Sequence, residues 1–114
     1  MHFAKITREL ESVGVNKKHK GFNYLRDGIS VIIMYELSVD IKNVYEFLSQ
    51  CYRVTPQSIE RSIRYCIEYA WARGDIENIE KMFGFTVQCE KGKPTNREFM
   101  FMIADRIMFQ NMDK

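Results

Sequence analysis

Chain breakers are scarce in this 114-residue sequence, which holds two prolines and six glycines. A strand-rich sandwich or barrel needs turn residues every 8 to 12 positions or so, and a disordered chain is rich in proline and poor in apolar residues. Both are excluded, and long helices are left. Cysteine is sparse too: Cys51, Cys66 and Cys89 are odd in number and form no CxxC pair. That excludes a disulfide framework and a structural zinc site, and fits reduced thiols in a cytoplasmic protein. An excess of one charge is also missing, since 17 Lys and Arg face 15 Asp and Glu for a net +2. A bulk polycation binder is therefore excluded, and any nucleic-acid site has to be local. The longest apolar runs, at 31–35 and 99–104, fall far short of the ~20 residues a membrane span requires. No signal peptide or membrane anchor is evident. The two histidines, His2 and His19, stand in no motif beside a nucleophile, and no glycine-rich phosphate loop is present. The expectation is no catalytic residue, no metal site and no cofactor.

What is present is helical periodicity over one domain, residues 1–114, a length typical of a single core. Phe3, Ile6, Leu10 and Val13 recur at helical spacing before Gly14. A basic loop, Lys17 to Gly21, precedes a buried helix from about Phe22 to Leu37 with Leu25, Ile29, Ile32, Ile33 and Tyr35. A third helix is expected over Ile41 to Tyr52, where Ile41, Val44, Tyr45, Phe47, Leu48 and Cys51 make a broad apolar face. Thr55-Pro56 is a strong start signal, because threonine accepts a bond from an orphan amide and proline at the first helical position lacks one. That helix runs to about Arg73, and Asp75 can cap a short one through Phe83. Thr95-x-x-Glu98 is a capping box opening the last helix, about Asn96 to Met112. The fold class is all-α, about six helices in one domain.

Two helices joined by three residues over about 41–73 suit a helix-turn-helix. In the second, Ile59, Ile63, Cys66, Ile67 and Ala70 repeat at steps of three or four and turn toward a core. The opposite face carries Gln57, Glu60, Arg61, Arg64, Tyr65 and Glu68. An arginine fork donates twice to guanine N7 and O6, and a carboxylate accepts from cytosine N4. Glu60, Arg61 and Arg64 form a base-reading set near the helix N-terminus, the end that lies closest to bases in the major groove. The same residues also describe an ordinary solvated helix with an i, i+4 pair between Glu60 and Arg64. Pattern alone leaves both readings open. Lys17, Lys18, Lys20, Arg26, Lys91, Lys93 and Arg97 are candidates for phosphate contact if they share the reading face. Tyr69, Trp71 and Phe83 are expected in the core.

The residues carry a resemblance. Ser58-Ile-Glu-Arg-Ser-Ile-Arg-Tyr-Cys-Ile-Glu-Tyr-Ala-Trp-Ala-Arg-Gly74 and its continuation to Gly84 resemble the C-terminal DNA-binding effector domain of the sporulation initiation response regulators of endospore-forming Firmicutes. Lys20-Gly-Phe-Asn-Tyr-Leu-Arg-Asp-Gly-Ile29 and Gly92-Lys-Pro-Thr-Asn-Arg-Glu-Phe99 are similar to its second-helix and final-helix motifs, so the likeness extends from about Ile6 to the C-terminus. It implies a transcription regulator that reads double-stranded DNA with the helix 56–73, with Glu60, Arg61 and Arg64 at the base-contacting positions. Gln57, Ser58, Tyr65, Glu68, Lys20 and Lys93 are the implied backbone or flanking contacts. It further implies head-to-tail pairing on DNA and a surface around Asp75, Glu77, Glu80 and Lys81 that meets the sigma subunit of RNA polymerase. The family pattern has arginine where Ser58 stands and histidine where Tyr65 stands, so contacts at those two positions differ. The family also joins this domain to a phosphoacceptor receiver domain, for which 114 residues leave no room. The expectation is a piece or a stand-alone protein without that receiver, and control by phosphorylation does not carry over.

A reading of another class competes with this one: an interaction module or antagonist that pairs with a full-length regulator or with RNA polymerase without reading DNA. Its motive is the last helix, where Phe101, Met102 and Phe109 extend the apolar surface beyond the stripe of Phe99, Ile103 and Ile107.

Overall fold

The computed structural model describes residues 2–73, 76–83 and 92–112. Among these residues six helices follow in order: α1 Phe3–Ser12, α2 Lys20–Met34, α3 Ile41–Tyr52, α4 Pro56–Arg73, α5 Ile76–Phe83 and α6 Asn96–Met112. No strand occurs among the described residues. Gly74, Asp75 and residues 84–91, Cys89 among them, lie outside them.

The second helix is the hub, because its buried residues are not confined to one stripe. Tyr24 and Ile33 are buried on either side of the stripe formed by Phe22, Leu25, Ile29 and Ile32, and α2 packs against α1, α3, α4 and α6. Helices can approach this closely only where side chains are small. A Cβ added at Gly21 would lie 2.3 Å from the Ser62 carbonyl oxygen and 2.5 Å from Cys66 Sγ, so the first turn of α2 sits directly on the α4 backbone. Seven residues on, and thus on nearly the same face, a Cβ at Gly28 would lie 2.5 Å from Met100 Cε and 3.2 Å from Val44 Cγ1. The regular glycine interval marks packing, not phosphate binding.

The ends of α2 differ from the periodicity. The helix begins at Lys20, with His19 as its N-cap residue, and stops at Met34 instead of continuing to Leu37. Glu36 and Leu37 take left-handed backbone conformations, with φ of 53° and 68°, and their amides donate back to the Ile33 and Ile32 carbonyls at 3.0 and 2.9 Å. A left-handed non-glycine residue costs roughly 1 to 2 kcal/mol. The recovered carbonyl bonds and the partly buried Leu37 side chain offset it. No glycine announces this turn, so periodicity alone overran it.

The end of α3 and the starts of α4 and α6 follow their caps. Arg53, at φ 58°, ends α3 in the left-handed region; the Val54 amide then bonds Ser49 O at 3.2 Å, and Ser49 Oγ donates to Val54 O at 2.6 Å. The next residue, Thr55, receives the Ser58 amide on its Oγ1 at 3.1 Å and opens α4. At α6 the box is reciprocal: Glu98 N–H donates to Thr95 Oγ1 at 3.0 Å and Thr95 N–H to Glu98 Oε1 at 2.8 Å. Phe99, Met100, Ile103, Ala104 and Ile107 then enter the core, which Ile6 and Leu10 of α1 complete. Arg106 Nε bonds Glu9 Oε1 at 2.7 Å and ties α6 to α1. No helix among the described residues is long and apolar enough to cross a membrane.

Candidate nucleic-acid interface

The inward face of α4 is Ile59, Ile63, Cys66, Ile67 and Ala70, every one fully buried. Burial pushes the Cys66 thiol up to about 11, against a smaller downward effect of the Gly21 amide bonded to its sulfur. The thiol is therefore neutral and acts as a small hydrophobe. Locking this face turns the other side of α4 outward, and Gln57, Glu60, Arg61, Tyr65 and Glu68 are exposed while Arg64 is partly so. The sequence-derived reading set thus lies on open surface, in the half of α4 nearest its N-terminus.

Arg64 is the most constrained member. Its Nε stands 3.5 Å from Glu68 Oε2, an ion-pair separation without hydrogen-bond geometry, and its Nε and Nη2 atoms have no hydrogen-bond partner among the described residues although both are covered. The partner is Glu68, one turn ahead, and not the Glu60 expected from the i, i+4 spacing. Lys93 Nζ also approaches Glu68, at 3.9 Å. That carboxylate consequently holds two cations while Glu60 and Arg61 have no ion pair among the described residues.

Two clefts flank the exposed ridge of α4. On one side the start of α2 supplies Lys18, His19, Lys20 and Gly21 against Ser58, Arg61, Ser62 and Tyr65. The His19 ring stands edge-on to Tyr65 and Tyr69, with centroids 5.0 and 4.7 Å apart. On the other side Ile41 and Tyr45 of α3 and Thr95, Asn96 and Arg97 at the head of α6 face Glu60, Arg61 and Arg64. Asn96 is the one buried polar residue among those described, at 8% exposure. Its Nδ2 donates to Tyr45 Oη and to the Glu60 carbonyl, each at 3.1 Å. Burial raises the Tyr45 phenol above its ordinary value, with the Asn96 bond opposing, so the hydroxyl stays protonated at neutral pH.

The lysines and arginines divide accordingly. Lys18, Lys20, Lys93 and Arg97 join the α4 face. Lys17 does not, being paired with Glu11 at 3.3 Å, and Arg26 lies elsewhere, bonded to Asp27 at 3.0 Å and stacked on Phe3. Lys91 is outside the described residues. Glu77, Glu80 and Lys81 are exposed on α5, and Asp75 is outside the described residues. In α6, Phe109 is 57% exposed, whereas Phe101 and Met102 pack partly against the core and Phe101 lies under the Arg97 guanidinium. Trp71 is partly buried and meets Phe99 edge-on, but Tyr69 lies between His19 and the Arg73 guanidinium instead of in the core cluster. Phe83's side chain is outside what is described.

Sequence reasoning passed over His19, Tyr45 and Asn96. The capping box pointed to the head of α6, but nothing in the spacing shows that it meets Glu60, 36 positions earlier. Compared with known protein families, the chain matches the family described as Sporulation initiation factor Spo0A C terminal over residues 6–107.

Proposed function

Because the chain belongs to the Spo0A C-terminal family, the DNA-binding domains of a sporulation transcription factor, we propose that it reads a specific duplex sequence with α4 in the major groove. Arg61 and Arg64 donate to guanine edges, and Glu60 accepts from a cytosine amine. Gln57, Ser58, Tyr65 and Glu68 border them, while Lys18, Lys20, Lys93 and Arg97 hold register through phosphates. The observation that carries this reading is the outward set of Glu60, Arg61 and Arg64 on the front half of α4, with unsatisfied donors on Arg64. The work is done in the cytoplasm, and the family is a regulatory one, not an enzyme family. Exposed Glu77, Glu80 and Lys81 suit a contact with the sigma subunit of RNA polymerase, and copies bind head to tail on adjacent sites.

The test begins with a duplex enriched from a randomised pool by the wild-type chain, compared with its scrambled counterpart by fluorescence anisotropy at several salt concentrations. Arg64→Ala should lose about 1 to 3 kcal/mol on the enriched duplex and relax preference at one base pair. Equal loss on both duplexes would remove the base-reading role. The interaction-module alternative draws on exposed Phe109, though the partial burial of Phe101 and Met102 shrinks its surface. It predicts self-association without DNA across a concentration series in sedimentation.

A further inference from the structure

We propose that Asn96 is a positioning residue for base recognition, holding the Glu60–Arg64 turn of α4 in register through a hydrogen bond to the Glu60 carbonyl. The inference rests on the base-reading assignment above and adds a residue that touches no DNA.

Three observations support it. First, the acceptor is specific. In a regular helix the carbonyl of residue 60 already receives the amide of residue 64, so the bond from Asn96 lands on the group that closes the turn bearing Glu60, Arg61 and Arg64. Second, the donor is fixed at its other attachments: the same Nδ2 reaches Tyr45 Oη on α3, and the residue heads α6, whose start is set by the reciprocal bonds between Thr95 and Glu98. One side chain therefore references the reading turn to two other helices. Third, a buried amide is costly where it is not needed. Asn96 is 92% buried, its Oδ1 has no hydrogen-bond partner among the described residues, and an apolar residue would avoid that desolvation. A buried polar side chain can fix how helices sit against one another at a cost in stability, as a core asparagine does in coiled coils.

A residue that only stabilised the fold would, when replaced, weaken binding to every duplex alike. A register residue lowers the preferred complex selectively, because bidentate base contacts depend on geometry more steeply than phosphate contacts do. The experiment measures Asn96→Ala and Asn96→Ser on the enriched and scrambled duplexes, with urea unfolding of each variant. Serine keeps a good helix-start residue but cannot span both acceptors. The expected result is a fall of at least about fivefold in the ratio of the two affinities, the lower end of what one good base contact contributes, with scrambled-duplex affinity within about twofold of wild type. An unchanged ratio in the folded variants, whether both affinities hold or both drop, would overturn the role of Asn96. Should the wild-type chain enrich no duplex, the base-reading assignment falls first and this inference with it. Discrimination lost by Arg64→Ala but kept by both Asn96 variants would leave that assignment intact and reject this one.

Discussion

Gly21→Ala is the sharpest perturbation of the packing that presents α4. The added methyl would sit 2.3 Å from Ser62 O and 2.8 Å from Ser62 C, and both atoms belong to the α4 backbone. A side-chain tip can rotate away, whereas a helical carbonyl moves only with its helix. Overpacking in a tight core costs typically 1 to 3 kcal/mol, and a backbone obstacle places this site at the upper end. Alanine returns up to about 0.5 to 1 kcal/mol of backbone entropy relative to glycine in a helix, less at the second residue of α2. The balance is a loss of about 2 kcal/mol, or roughly 8 °C in Tm for a domain of this size. Gly28→Ala provides the internal comparison, since its closest obstacle is the terminal methyl of Met100, which can swing aside. It should cost about 1 kcal/mol or less. Urea and thermal unfolding followed by circular dichroism at 222 nm would rank the two variants. A Gly21→Ala midpoint equal to or above that of Gly28→Ala would refute the close approach of α2 and α4. The same variant should weaken DNA binding at temperatures where it stays folded, because Lys18 and Lys20 would be displaced from Arg61 and Ser58.

Thr55→Ala removes the oxygen that receives the Ser58 amide and should cost about 1 kcal/mol in urea unfolding. Burial, reinforced by the hydrogen bond its hydroxyl donates to Asp27, pushes the Tyr52 phenol up to about 12. Its folded value exceeds its unfolded value of 10.0, so its stabilising contribution is complete below pH 10 and is lost as pH climbs from 10 toward 12. Tyr52→Phe should flatten that part of the pH–stability profile and leave the loss over pH 9 to 11 that the raised Cys66 thiol produces. An unaltered profile would refute the pairing. Exposed Cys51 should react with a thiol reagent in the native protein at neutral pH, and buried Cys66 only on unfolding. Replacing Lys18 and Lys20 together with alanine should lower the slope of log affinity against log salt by about 1.8, with little effect on base preference. A changed preference would contradict a phosphate role.

How much of this was legible beforehand depends on the range of the interaction. Local chemistry was: Thr55-Pro56 and Thr95 with Glu98 placed the starts of α4 and α6, and steps of three and four divided α4 into Ile59, Ile63 and Cys66 inside and Glu60, Arg61 and Arg64 outside. The turn after α2 was not, since Glu36 and Leu37 adopt a conformation that side-chain identity does not favour and tertiary burial of Leu37 sustains. Nor was the choice of Glu68 over Glu60 as the partner of Arg64, because both carboxylates lie one turn away and only rotamers and the nearby Lys93 distinguish them. The contact between Asn96 and Glu60 requires α6 to dock across α4, which periodicity within a helix does not encode.

The charge arrangement then acquires a meaning that the net value conceals. Around α4 the fold gathers Lys18, Lys20, Arg61, Arg64, Lys93 and Arg97, six cations, against the carboxylates of Glu60 and Glu68. That face carries a local excess of four positive charges in a chain whose net charge is +2, so the charges elsewhere in the sequence sum to −2. A duplex approaching at low salt is drawn to the α4 side of the molecule. Glu60 sits inside the attractive field and is unfavourable toward any phosphate, which makes it a poor residue for indiscriminate backbone binding. Its position is favourable only when a base amine faces it. A surface evolved for sequence-independent affinity alone would have no use for a carboxylate next to Arg61 and one turn before Arg64, and its presence on the exposed ridge is the electrostatic argument for a reader.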